Sequence, residues 1–345
     1  MQDGQTLGIP IGPDTSRVIS EIIGVALDKT IQSSEPELNW IRFIDDFFLF
    51  ADSYAQAEIL ELKINRALSN FELTNNENKS SIQAMPVTVE SIKFQTIKNY
   101  KIRKSVSEQK LDIIHIYNLS IELYKIHPHE NSFHCFLTKI LPVKIHKVNW
   151  DIIESILLQI ASTEIKSITV ISKLLISYKS YGYDLNLEKI KISFLKIAQR
   201  GVENNFGFEV CWALFILDQL EIKINEKINN LSSLSDPLAI LSVLTAREKG
   251  FYTYNLDLNY WNTLMSTNGL YDSCWILCYE AEKRDWLNNQ NGLNLTDSDD
   301  YFKKLKALDI SFLNMDCTIN PIDESELSDE TDSENEPNIF ELIYK

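Results

Sequence analysis

Glycine and proline are scarce in this chain of 345 residues, at ten and nine, and that scarcity argues against a turn-rich all-β fold. Ile, Leu, Lys and Glu fill long stretches instead, which tilts the expectation toward helix. No apolar run approaches the roughly 20 residues of a membrane span. The start, "MQDGQTLGIP", lacks the cationic-then-apolar order of a secretory leader, so a soluble cytoplasmic protein is expected. Cysteine supplies no disulfide framework. Cys135, Cys211, Cys274, Cys278 and Cys317 are odd in number and scattered, mostly in apolar patterns such as "EVCWALFIL", the usage of a reducing compartment. Cys274 and Cys278 lie four apart on an expected helix, but no second Cys or His pair with metal spacing accompanies them, and they read as core thiols. His127, His129 and His134 cluster in "HPHENSFH", a Pro-interrupted loop that reads as solvated surface. Positive charge is also short: a formal net charge of −16 excludes a surface that is basic all over. About half of that charge lies in residues 316–345, where "DESELSDETDSENEPN" has too few apolar side chains to offset its ordering entropy and is expected to be a disordered, solvating tail.

What is present is an ordinary globular content, 44% hydrophobic and 10% aromatic, enough for a sizeable core. Residues 1–95 mix helix and short strands. Residues 96–315 read as helix after helix: "WDIIESILLQIAS", "SITVISKLLISYKS", "LEKIKISFLKIAQRG", "FEVCWALFILDQL" and "DPLAILSVLTAREKG" each carry apolar residues at three- and four-residue intervals. Helical hairpins recurring at roughly 40 residues suggest an α-solenoid-like stack, with Trp212 and Trp275 in its core.

The chemistry-bearing residues lie in the first region. "GIPIGPDTSRVISEIIGVALD" begins with a rigid turn (Gly8, Pro10, Gly12, Pro13), then a helix capped by Asp14 or Thr15 that is expected to bury Val18, Ile19, Ile22, Ile23 and Ala26. Such a loop lets a ligand approach the main chain and offers unpaired amides. "NWIRFIDDFFLF" reads as a hairpin with Asp45 and Asp46 at its tip, Trp40 and Arg42 facing away from Ile41 and Phe43, and buried flanks. Two adjacent carboxylates repel unless cations or donors neutralise them, although an Asp-Asp turn taken alone is most often only solvated. Ser53 and Gln56 form a capping box ahead of Leu60, Ile64, Ala67, Leu68 and Phe71. "FELTNNENKSSIQAMPV" follows as strand, Asn-rich turn with Lys79, and strand.

This order resembles the palm of reverse transcriptases, most closely the abortive-infection or antiphage-defence group of bacterial enzymes. "GIPIGPDTSRVISEII" looks like motif B, "RFIDDFFLF" like motif C, whose usual form is Tyr-x-Asp-Asp, and "LTNNENKSSI" like motif D. The helical region with "EVCWAL" is similar to the helical repeat domain that these proteins carry in place of a thumb. The resemblance implies an α+β partial polymerase palm, a β-hairpin with packed helices, followed by a mainly α, helical-repeat-like C-terminal domain. It implies an RNA-directed DNA polymerase acting on dNTPs with an RNA template and a DNA product. Asp45 would be a ligand of two Mg²⁺ ions with Asp46 beside it, and Lys79 would lie near the leaving pyrophosphate. Gly12, Ser16, Arg17 and Phe43 would lie beside nucleotide and template. The chemistry is coherent, since two-metal phosphoryl transfer needs hard carboxylate ligands on a rigid support.

The sequence departs from the family pattern in three places. Phe43 replaces the usual Tyr, and Ile11 stands where many relatives have Gln. Motif A, which carries another metal-ligating Asp on an upstream strand, has no counterpart in the seven residues before Gly8; Asp3 sits in a polar turn context. The resemblance is therefore to the C-terminal part of a longer polymerase, with Met1 as an internal methionine or with a separately encoded N-terminal half completing the site. The competing reading is a noncatalytic helical interaction protein with a degenerate palm.

Overall fold

The computed structural model describes residues 14–328, apart from 78–79, 88–91, 127, 129–130, 290–291 and 293. Contacts divide the chain into two units, Met1–Val89 and Glu90–Lys345, so the boundary falls a few residues before the one expected near residue 95. The described residues form thirteen α-helices and one two-stranded antiparallel sheet, the mainly helical α+β content expected.

The first unit holds α1 (Asp14–Ser34), β1 (Trp40–Phe43), β2 (Asp46–Leu49) and α2 (Tyr54–Ser69). Ser53 caps α2 by accepting the Gln56 amide at 3.2 Å, and the Gln56 side chain accepts the Asp52 amide at 2.8 Å, which closes the predicted box. The apolar stripe of α2 then buries Leu60, Ile64, Ala67 and Leu68. All five residues at the centre of this unit's core, Leu27, Ile31, Ile64, Ala67 and Leu68, come from the facing stripes of α1 and α2, with Trp40, Phe47 and Leu49 of the hairpin packed against them. Lys63 of α2 pairs with Glu35 just past α1 at 2.5 Å.

Three expectations fail here. Of the α1 residues expected to be buried, Val18, Ile19 and Ile22 are exposed, Ile22 at 63%, and Ile23 and Ala26 are half-buried, while the fully buried stripe runs through Leu27 and Ile31. Periodicity identifies an apolar stripe, but burial also needs a neighbour to cover it. The hairpin is likewise buried on one face only. Trp40, Arg42, Phe47 and Leu49 face inward, whereas Ile41, Phe43, Phe48 and Phe50 are exposed, Phe43 at 66%. Finally, no strand forms among the described residues of 71–87; Leu73, Met85 and Val87 are exposed, and β1 and β2 pair only with each other. A strand without a paired neighbour leaves its backbone groups to water.

The second unit holds α3 (Ile92–Lys98), α4 (Val106–Ile126), α5 (Ser132–Ile140), α6 (Trp150–Thr163), α7 (Ile168–Ser180), α8 (Leu187–Glu203), α9 (Gly207–Gln219), α10 (Pro237–Glu248), α11 (Asn259–Leu264), α12 (Trp275–Lys283) and α13 (Asp300–Ala307). The five helical windows of the sequence become α6 to α10. Helices meet both their successors (α6 with α7, α8 with α9, α9 with α10) and their next-but-one neighbours (α5 with α7, α6 with α8, α7 with α9, α10 with α12). One continuous core results, from Ile102 to Ile322. Three of its buried carboxylates are well satisfied: Asp112 accepts from Arg103 and the Tyr100 hydroxyl, Glu209 from Arg200, and Glu280 from the amides of Phe312 and Leu313, whereas Glu154 accepts the Asn186 amide on one oxygen and leaves the other without a hydrogen bond. Cys278 is buried, its thiol 3.4 Å from the Leu264 carbonyl and pushed up to about 11 by burial. Trp212 is partly buried, but Trp275 is 36% exposed, its ring set edge-on against Phe312. His134 is exposed; His127 and His129 lie outside the described residues.

The disorder expected from residue 316 is not found through residue 328; the rest of the expected tail, 329–345, lies outside the described residues. Residues 317–328 form a strap across the second unit. The Gln219 side chain meets the Cys317 carbonyl and the Ile319 amide, and Ser177 and Tyr181 take the amide and carbonyl of Ile322, whose side chain is 3% exposed. Ser328 forms a parallel bridge with Val143 through bonds to Pro142 and Lys144, and Glu324 pairs with Lys144. The physical reason is that side chains of the helices satisfy the strap's backbone, so three spaced apolar residues, Ile319, Ile322 and Leu327, suffice where composition alone predicts disorder.

Among the described residues, no helix is long and apolar enough to cross a membrane.

Candidate functional site

The carboxylate pair sits where a two-residue turn joins β1 to β2. The register pairs Trp40 with Leu49, Ile41 with Phe48, Arg42 with Phe47 and Phe43 with Asp46, which leaves Ile44 and Asp45 as the turn. Asp46 therefore shares the exposed face with Phe43, Ile41 and Phe48, and Asp45 projects from the tip; both carboxylates are exposed. Among the described residues neither side chain has an ion-pair partner.

Ile44 holds φ at +56°. Positive φ at the first turn position but not the second is the signature of a type II′ hairpin turn, where glycine is the usual occupant. A β-branched residue there costs about 1–2 kcal/mol, so something nearby must hold it.

That support is Arg42. It sits on the inner face of β1, its side chain 10% exposed, and its guanidinium lies against α1. Nε and Nη2 donate to Asp28 at 2.8 Å each, and Nη2 and Nη1 donate to Glu21 at 2.8 and 3.1 Å. Nη1 also donates to the Ile44 carbonyl at 2.7 Å. All five N–H donors of the side chain are thereby used. The Glu21 and Asp28 carboxylates push the Arg42 guanidinium's pKa further up, and Arg42 in turn holds Glu21 below the usual carboxylate range. The close approach needs Gly24, since a Cβ at that position would lie 2.8 Å from Nη1 and 2.9 Å from Cζ.

The atom that meets Glu21 also meets the turn, so the carboxylate tip lies toward the Glu21 end of this stretch of α1. Ser16 and Arg17 occupy the first turn of the same helix, with Ser16 about 7 Å further along the axis. Ser16 is buried and Arg17 exposed. Phe43, the counterpart of the motif C tyrosine, is on the exposed face beside Asp46. Gly12 and Lys79 lie outside the described residues.

The donor set suits a hard divalent cation in part. Two adjacent carboxylates on a supported turn are the right chemistry for Mg²⁺, but among the described residues no group of three His, Cys, Asp or Glu side chains converges. Sequence reasoning missed the Arg42 clamp. The only signals for it were an Arg on the inward face of a strand and a Gly inside a helix, which gain meaning only when the two elements meet.

No protein-family model matches the chain, and no curated protein matches it.

Proposed function

We propose that the first unit is the C-terminal part of a reverse transcriptase palm and that the chain serves Mg²⁺-dependent nucleotidyl transfer from dNTPs, copying an RNA template into DNA. The observation that carries the reading is the turn itself, two adjacent aspartates at the tip of a hairpin laid across the helix that follows a Gly/Pro-rich loop. In this reading Asp45 and Asp46 hold the metal ions, with a further carboxylate supplied from outside this chain. Bound there, Mg²⁺ would lower the pKa of the attacking 3′-hydroxyl and neutralise charge on the transferred phosphoryl group. The exposed ring of Phe43 offers a flat apolar contact to a nucleotide, Arg17 a charge for a phosphate, and Lys79 a proton for the leaving pyrophosphate.

The uncovered apolar stripes support the incomplete character of the site. Val18, Ile22 and Val25 on α1 and Ile41, Phe48 and Phe50 on the hairpin are surfaces that an upstream, carboxylate-bearing strand would cover. The next-but-one helix contacts of the second unit support a helical-repeat-like domain following the palm in the chain. The antiphage role follows from resemblance alone. The same exposed stripes, together with the missing third carboxylate, favour the second reading, a noncatalytic protein that docks a partner on these faces.

The test is incorporation of labelled dNTP on a primed RNA template by the full chain, alone and mixed with the polypeptide encoded immediately upstream. The reading requires Mg²⁺-dependent synthesis in the mixture that Asp45→Asn lowers at least about a hundredfold. Synthesis absent from both samples, with partner binding unchanged in the Asp45→Asn/Asp46→Asn protein, would favour the noncatalytic reading.

A further inference from the structure

We propose that Arg42 is a positioning residue: seated on Gly24 and balanced by Glu21 and Asp28, it grips the Ile44 carbonyl and so keeps the turn in the conformation that presents Asp45. Three observations converge on this. Ile44 occupies a backbone region that suits glycine, and a locally unfavourable residue persists only where its surroundings hold it. Among the described residues, the carbonyl of Ile44 is the one backbone atom to which the guanidinium donates, at 2.7 Å. The seat is shaped for the task, because a helix interior gives up the favourable propensity of alanine for a glycine exactly where the guanidinium lies flat.

Charge explains why two carboxylates are needed. A lone arginine within reach of Asp45 and Asp46 would be drawn to them and would neutralise the tip. Glu21 and Asp28 instead occupy four of its five donors, and the fifth goes to the turn's carbonyl. The clamp carries one net negative charge, so the field at the tip stays attractive to a cation. Lysine, with three donors and no planar fork, cannot reproduce the arrangement.

The inference rests on the metal reading only for its purpose; the clamp is testable without it. Full-length Arg42→Gln and Gly24→Ala proteins, each with and without Ile44→Gly, are compared by amide hydrogen exchange at Asp45 and Asp46 and by Mn²⁺ binding followed by electron paramagnetic resonance. Both single variants are expected to speed exchange at the turn about tenfold or more and to weaken Mn²⁺ binding about tenfold, with exchange in α2 unchanged. Gly24→Ala is the sharper of the two, since it favours the helix while displacing the guanidinium. Adding Ile44→Gly, which relieves the need for a clamp, is expected to return both readouts to within about threefold of the parent, a rescue that a merely structural ion pair would not show. Unchanged exchange at the turn in both single variants, or no rescue by Ile44→Gly, would overturn the proposal. If exchange behaves as described while the parent protein binds no Mn²⁺, the clamp stands and the metal reading falls.

Discussion

The two units treat the same kinds of side chain in opposite ways. In the second, apolar residues from α4 to the strap close into one core, and its buried carboxylates have donors. In the first, α1 and the hairpin each bury one stripe and leave another of equal apolar character in water. The contrast separates having an apolar pattern from having something to cover it. A chain segment can carry the sequence of a core element and lack the neighbour that would make it one.

Paired substitutions sharpen this comparison. Leu217→Ala, at a fully buried site of α9, is expected to cost about 2–5 kcal/mol in denaturant unfolding, whereas Ile22→Ala on the exposed stripe of α1 should stay within about 0.5 kcal/mol. Equal costs would mean that the stripe is covered in solution. Removing residues 317–345 should lower the second unit's stability by about 2–3 kcal/mol, chiefly from uncovering Ile322, and leave hydrogen exchange in α2 untouched. The smallest effect is pH-dependent. Burial alone would raise the Asp112 carboxyl, but the bonds from Arg103 and Tyr100 outweigh it and hold the group below its ordinary value. A depressed carboxylate contributes stability that is present above its unfolded pKa, about 4, and is lost as pH falls through the folded one. Arg103→Gln should therefore flatten the second unit's acid unfolding slope below about pH 4. Glu21 in the first unit is also depressed, but it faces solvent and its share should be smaller.

Much of the helical architecture was legible because its signals are local. Ser53 and Gln56 announce α2, and the apolar intervals of α6 to α10 mark helices whose ends fall within a few residues of the predicted windows. The hairpin and the place of Asp45 in its turn were legible too, from two apolar runs flanking an acidic pair, although the turn is Ile44–Asp45 and Asp46 opens β2. What escaped depends on distant partners. Val18 and Ile22 look like core residues until one asks what lies opposite them. Composition marks the strap as solvent-loving, yet Ser177, Tyr181 and Gln219, 98 to 145 residues upstream, hold its backbone. The Arg42 clamp joins residues 21, 24, 28, 42 and 44, and no single window of sequence contains its logic.

The exposed face of the hairpin also governs how the protein behaves in concentrated solution. Phe43, Phe48 and Phe50, beside strand edges that pair with nothing else among the described residues, form a sticky patch on a molecule whose net charge of −16 keeps copies apart. Salt screens that repulsion over about 10 Å at 0.1 M and leaves apolar attraction intact. The protein should therefore scatter more light as ionic strength rises, the reverse of an aggregate held by opposite charges. A charged residue at Phe48, pointing outward into water, should remove the effect.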